Sequence, residues 1–171
     1  MLRPRPLVFM RVVAMLAVVA ALGLVACGGG SSGKATPACD GGVREALDSN
    51  LSHVLVQPGD TEPSYLTDPP TSGPHSPGAK PSGVSAVALA KPVQVGALEA
   101  GLVLVQYRDP ADLDALKALG TGQVVVAPNP TLGARVVATA WLFKLTCSGI
   151  DPAAITAFAS QHAGHGPGAD G

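Results

Sequence analysis

The chain is poor in aromatics and in charge. One Trp, two Tyr and three Phe make up 4% of its 171 residues, and Asp, Glu, Lys and Arg together only 13%. A nucleic-acid surface needs clustered Lys and Arg, and no such cluster occurs, so nucleic acid is excluded as a partner. No apolar run reaches the roughly 20 residues that a helix needs to cross a bilayer. There is no CxxC pair for a structural zinc site, no G-x-S-x-G elbow for a hydrolase, and no internal repeat. Only three cysteines are present.

What is present begins at the amino end. Arg3, Arg5 and Arg11 form a basic segment ahead of "VVAMLAVVAALGLVA" (Val12 to Ala26), which carries no charge. That run has the size of a secretory hydrophobic region. It ends Leu24-Val25-Ala26-Cys27, small residues before a cysteine, as in a lipoprotein signal cut ahead of a thiol that is then diacylated. The alternatives are an uncleaved anchor and an ordinary secretory signal. Residues 1–26 are thus expected to be a lipoprotein signal peptide, with Cys27 the lipidated residue. Residues 27–38, rich in Gly and Ser, are expected to form a flexible tether. The implied partner is a membrane, held through a lipid anchor, and the implied location is the outer face of a bacterial cell membrane. Removing residues 1–26 takes away three arginines and no acid. Eight basic residues then face twelve acidic ones, a formal charge of −4.

With Cys27 assigned to lipid, Cys39 and Cys147 remain, an even pair in an oxidising compartment. They stand at the two ends of the folded region, so a disulfide between them would close a loop of about a hundred residues and contribute roughly 4–5 kcal/mol. The competing readings are two free buried thiols and metal ligation.

The pattern between these cysteines points to one α+β domain over residues 39–161, a small sheet covered on one face by two helices, with a long proline-rich loop. "CDGGVREALDSN" has room for one helical turn around Val43, Ala46 and Leu47. "HVLVQ" (His53 to Gln57) reads as a short strand stopped by Pro58-Gly59. Residues 59–92 are turn-rich and hold seven prolines. "GLVLVQY" (Gly101 to Tyr107) is the best strand. "DPADLDALKALG" is a helix with Asp109 as N-cap, Pro110 first inside, and Gly120 as stop. "QVVVAP" (Gln123 to Pro128) and "ARVVATAWLFKLTC" (Ala134 to Cys147) are two further strands. Asp151-Pro152 opens a last helix that buries Ile155 and Phe158. Residues 162–171, "HAGHGPGADG", read as a disordered tail.

Candidate chemistry is sparse. Ser72 lies three residues before His75, but in proline-rich extended backbone the two side chains need not face each other, and no acid is evident to complete a triad. His162 and His165 would share a helix face only if the last helix ran past Gly164. Tyr107 and Trp141 read as core or rim aromatics.

Taken together, "SHVLVQPG", "YLTDPPTSGPH", "LEAGLVLVQY" and "ATAW", with Cys147 and "DPAAITAF", resemble domain-of-unknown-function family 3105, from about His53 to about Phe158. The family comprises extracytoplasmic and membrane-associated proteins without an assigned activity. The resemblance implies histidines at the positions of His53 and His75 and a cluster His-x-Leu-Glu-His-Gly. Here that cluster is "GALEAG", with Gly96 and Ala100 in place of the histidines, while Glu99 and Gly101 are kept. Four imidazoles and a carboxylate would suit a transition metal. His53, His75 and Glu99 alone form a reduced set, so the expectation is no cofactor. The alternative is a zinc or copper protein using those three residues. The expected role is that of a non-enzymatic binding or envelope-associated domain. The bond expected for the proline block is a structural pair between His75 and Glu99.

Overall fold

The computed structural model describes residues 38–48 and 51–169; the segment expected as a signal peptide, Cys27 and the expected tether up to residue 37 lie outside them. The fold is α+β. Its strands are β1 (Val43–Arg44), β2 (Val103–Tyr107), β3 (Val124–Pro128), β4 (Val136–Ala140) and β5 (Phe143–Cys147). They form one sheet in the order β1-β5-β4-β2-β3, in which only β2 and β3 run parallel. The helices are α1 (Lys91–Glu99), α2 (Leu113–Leu116, with a 3-10 turn at each end) and α3 (Pro152–His162).

β2 is buried along its whole length because each face of the sheet carries its own cover. Val103, Val105 and Tyr107 point into the larger core with Leu116 of α2 and Ile155, Phe158 and Ala159 of α3. Leu104 points the other way, to Val125 and to Ala97 and Leu98 of α1. Coverage on one face only is therefore corrected. The reason is α1, which begins with Pro92 in its first turn and ends before Gly101, whose φ is 81°. It is buried on most sides (Pro92, Gln94, Val95, Gly96, Ala97 and Leu98), so it shows no polar stripe to mark it as an amphipathic helix.

The stretch expected as one strand from Ala134 to Cys147 is a hairpin, β4 and β5 turning at Trp141-Leu142. Leu142 sits at φ 63°, a conformation that costs a non-glycine residue of the order of 1 kcal/mol. Two backbone hydrogen bonds hold it there: Leu142 N–H donates to Thr71 O (3.1 Å), and Glu45 N–H donates to Leu142 O (2.8 Å). The helical turn expected at Val43 to Leu47 is replaced at its start by edge strand β1, set by its neighbours. Asp40 N–H donates to Thr146 O, and Cys39 and Cys147 are joined in a disulfide that spans 108 residues. The His53–Gln57 strand joins no sheet; one parallel bridge, Leu55 to His75, is all it makes. The outer edge of β3 is covered at Val126 by residues 83–85, which pair with it and so remove a free hydrogen-bonding edge.

Two sequence signals act as read. Asp109 Oδ1 accepts from Ala111 N–H at 2.9 Å, and Asp151 Oδ1 accepts from Ala154 N–H at 2.9 Å, so both helices start on their caps. The tail departs from its expectation. Gly164 N–H donates to Gly101 O (2.8 Å) and Gly168 N–H donates to Glu99 O (2.9 Å), which folds residues 163–169 back over the carboxyl end of α1. Of the carbonyls that a helix leaves unpaired at its end, Gly96, Ala97 and Leu98 O accept from Ala100, Leu102 and Gly101 N–H, and the strap satisfies the last, Glu99 O.

Candidate functional site

The proline block is buried from Pro69 to His75, although it has no regular structure. Buried irregular backbone must find partners one by one, and here it does. Thr71 O accepts from Leu142 N–H, and the Thr71 hydroxyl donates to Glu45 Oε2 (3.0 Å). Ser72 Oγ accepts from Asp48 N–H (3.1 Å), and Pro74 O accepts from the Tyr65 hydroxyl (2.9 Å). His75 N–H donates to Val54 O, and His75 O accepts from Val56 N–H. Gly73, at φ 122°, lies over the Tyr65 ring so closely that a Cβ would come within 3.1 Å of it.

The imidazole of His75 is 6% exposed, and its Nε2 stands 2.8 Å from Glu99 Oε2. Two lone pairs would repel at that distance, so Nε2 carries the hydrogen. Nδ1 is buried without a partner among the described residues. An N–H there would be an unanswered buried donor; a bare lone pair is the cheaper orphan. Nε2–H donating to Glu99, with Nδ1 as the bare lone pair, is the tautomer this geometry favours.

Glu99 also lines a shallow cleft of about 280 Å³ with Leu47, Ser52, His53, Trp141 and Pro167. His53 therefore reaches the carboxylate's neighbourhood from the cleft side, and His75 reaches it from the buried side. Among the described residues, however, no three His, Cys, Asp or Glu side chains stand close enough together to hold a metal ion. Ser72 is 5% exposed with its hydroxyl oxygen accepting from Asp48 N–H, and His75 Nε2 is directed at Glu99 rather than at Ser72. Of the other polar candidates, His162 stacks on Phe143 (centroids 4.1 Å) and meets Phe158 at a tilt (4.6 Å). Burial, with His165 adding repulsion, pushes its pKa down.

Sequence reasoning missed the charged support beneath the block. Lys144 Nζ lies 3.0 Å from Glu45 Oε1, both largely buried. Burial raises the Glu45 pKa, but Thr67, Lys144 and Thr71 together outweigh that and hold it below the ordinary glutamate value. It also missed the steric meaning of Gly96. A Cβ there would fall 2.7 Å from Ser76 O, because Ser76 N–H donates to Pro92 O and draws the loop onto α1. Trp141 is a rim residue of the cleft, whereas Tyr107 is core. Pro167 reached the cleft only because the tail folds back, and no local pattern announces that.

Comparison with curated proteins and with solved structures finds no match. A family model does match, over residues 57–170. The match takes in the proline block, Glu99, the hairpin and the C-terminal strap; it begins after His53, which corrects the expected extent at both ends. With two thirds of its length so matched, the chain belongs to a family of proteins of unknown function, DUF3105.

Proposed function

We propose that the protein is a lipid-anchored extracytoplasmic domain, attached to the outer face of the membrane through Cys27, and that it binds a partner without catalysing a reaction. The observation that carries this reading is the disulfide between Cys39 and Cys147. Disulfides persist in oxidising compartments, and this one starts twelve residues after the cysteine of the signal pattern. The binding role is supported by how the polar groups are used. His75 and Ser72 are engaged in the fold, and what faces solvent is the cleft of His53, Glu99 and Trp141.

Metabolic labelling with a fatty-acid analogue tests the anchor. Cys27→Ser should lose the label and accumulate as precursor, since only the thiol accepts diacylglycerol. Labelling unchanged in that variant would end the lipoprotein reading. The second reading, a zinc or copper protein, draws on the approach of His53 and His75 to Glu99 from two sides. Stoichiometric zinc or copper binding in a calorimetric titration, abolished by His75→Ala, would establish it instead.

A further inference from the structure

We infer that the Glu99 cleft receives one cationic side chain, a lysine ammonium or an arginine guanidinium, from a partner protein. This rests on the reading of the cleft as a binding site and names what enters it. Four observations converge.

The first is charge. Among the described residues Glu99 is the one acid in the lining, with His53 beside it and no Lys or Arg. His75 Nε2–H orients the carboxylate from its buried side. Glu99 Oε2 is engaged by His75, while among the described residues Oε1 has no side-chain partner. The carboxylate side chain is 29% exposed. A half-desolvated carboxylate with one free oxygen is an acceptor for a charge-assisted hydrogen bond.

The second is the aromatic wall. Trp141 lines the same cleft, and an indole face attracts an ammonium or guanidinium through its quadrupole. Leu47 and Pro167 offer apolar surface for the aliphatic stem that both cationic side chains carry.

The third is size. At about 280 Å³ the cleft lies at the low end of the roughly 300–1,000 Å³ of small-molecule sites. It suits a single side chain projecting from a larger partner.

The fourth is preorganisation. The Glu99 carbonyl is held by Gly168, Trp141 precedes the clasped Leu142, and His75 is pinned by Val54 and Val56. Binding thus loses little freedom on the protein side. Among the described residues Lys91 pairs with Asp68, Lys144 pairs with Glu45 and Lys80 donates to Ser76 O, and none of the three lines the cleft.

Trp141 is the chain's only tryptophan, so its emission reports directly on the cleft. The full chain in detergent is titrated with N-acetyl-argininamide, N-acetyl-lysinamide and the uncharged N-acetyl-norleucinamide. A cationic amide should change Trp141 emission saturably, with half-saturation in the millimolar range expected of one side chain. Norleucinamide should not. Glu99→Gln should weaken binding by about tenfold or more, the size expected when a charged partner is lost. Raising the salt from about 0.05 to 0.5 M should weaken it in the unmodified chain as well, which keeps the test sharp even if the variant folds poorly. Lack of a saturable response, an equal response to norleucinamide, or indifference to both salt and Glu99→Gln would overturn the proposal. So would zinc alone saturating the same signal at micromolar concentration. The assay does not depend on lipidation, so its failure leaves the Cys27 labelling result standing, and the reverse also holds.

Discussion

Replacing Gly166 by alanine tests whether the C-terminal strap belongs to the domain. A Cβ at that position would lie inside the envelope of the Leu98 and Glu99 carbonyl oxygens and of Gly101 N. These are backbone atoms at the end of a buried helix, so they cannot swing aside as a side chain would. The strap must lift instead, and with it go the hydrogen bonds from Gly164 N–H to Gly101 O and from Gly168 N–H to Glu99 O. Each contributes about 0.5–1.5 kcal/mol net, and the freedom regained by the released residues offsets part of the loss. The expected destabilisation is about 1–2 kcal/mol, which for a domain of this size lowers Tm by roughly 3–6 °C. Because Pro167 leaves the cleft with the strap, Trp141 emission should shift in the folded variant too. Truncation after Ala163 should reproduce both effects, since it removes the same contacts. A Gly166→Ala protein that melts with the unmodified chain and keeps its emission would refute the clamp.

Reduction should destabilise the protein further. Opening a loop that spans 108 residues removes roughly 4–5 kcal/mol in the chain-entropy account, so Tm should fall by ten degrees or so in reductant, and alkylation of the folded, unreduced protein should modify neither Cys39 nor Cys147. His162, whose folded pKa is pushed below 6.5, contributes stability that is fully present above pH 6.5 and is lost as pH falls through the lowered value; denaturant melts between pH 7 and 5 should show that loss, and His162→Gln should reduce it. Gly96→His should fail to create a metal site and should instead destabilise the fold by about 1–3 kcal/mol, because its Cβ meets Ser76 O; calorimetry with zinc and a thermal melt separate the two results.

The parts of the fold legible in the sequence are those written in local chemistry. Asp109-Pro110 and Asp151-Pro152 are helix starts wherever they occur before an apolar stripe, and Val103 to Tyr107 can scarcely be anything but a buried strand. What failed failed for identifiable reasons. α1 carries a proline at its start and a glycine just past its end, yet it is buried nearly all round and only nine residues long, so its periodicity is silent. The β4–β5 turn has no Gly, Pro, Asn or Asp at its tip; Leu142 is driven to positive φ by partners 71 and 45, far away in sequence. Tertiary contact overrode turn chemistry there.

The site divides the same way. A histidine at the end of "PPTSGPH" and a glutamate in "GALEAG" could be paired from the resemblance alone, and the 2.8 Å contact joins them. The meaning of Gly96 could not be read, because it depends on where the loop after His75 goes. That loop turns back at Ser76, bonds to Pro92 and presses its carbonyl on Gly96, while Lys80 reaches the same carbonyl at 3.3 Å. A histidine at position 96 and this loop path exclude each other. The two departures from the family pattern are therefore unequal. Ala100 is half-buried at the helix end, just past the last residue of α1. Gly96 is a packed contact, and a ligand there would require residues 76–80 to take another course. The course of residues 76–80, as much as the count of imidazoles, sets His53, His75 and Glu99 apart from the family pattern, with Glu99 lining the cleft.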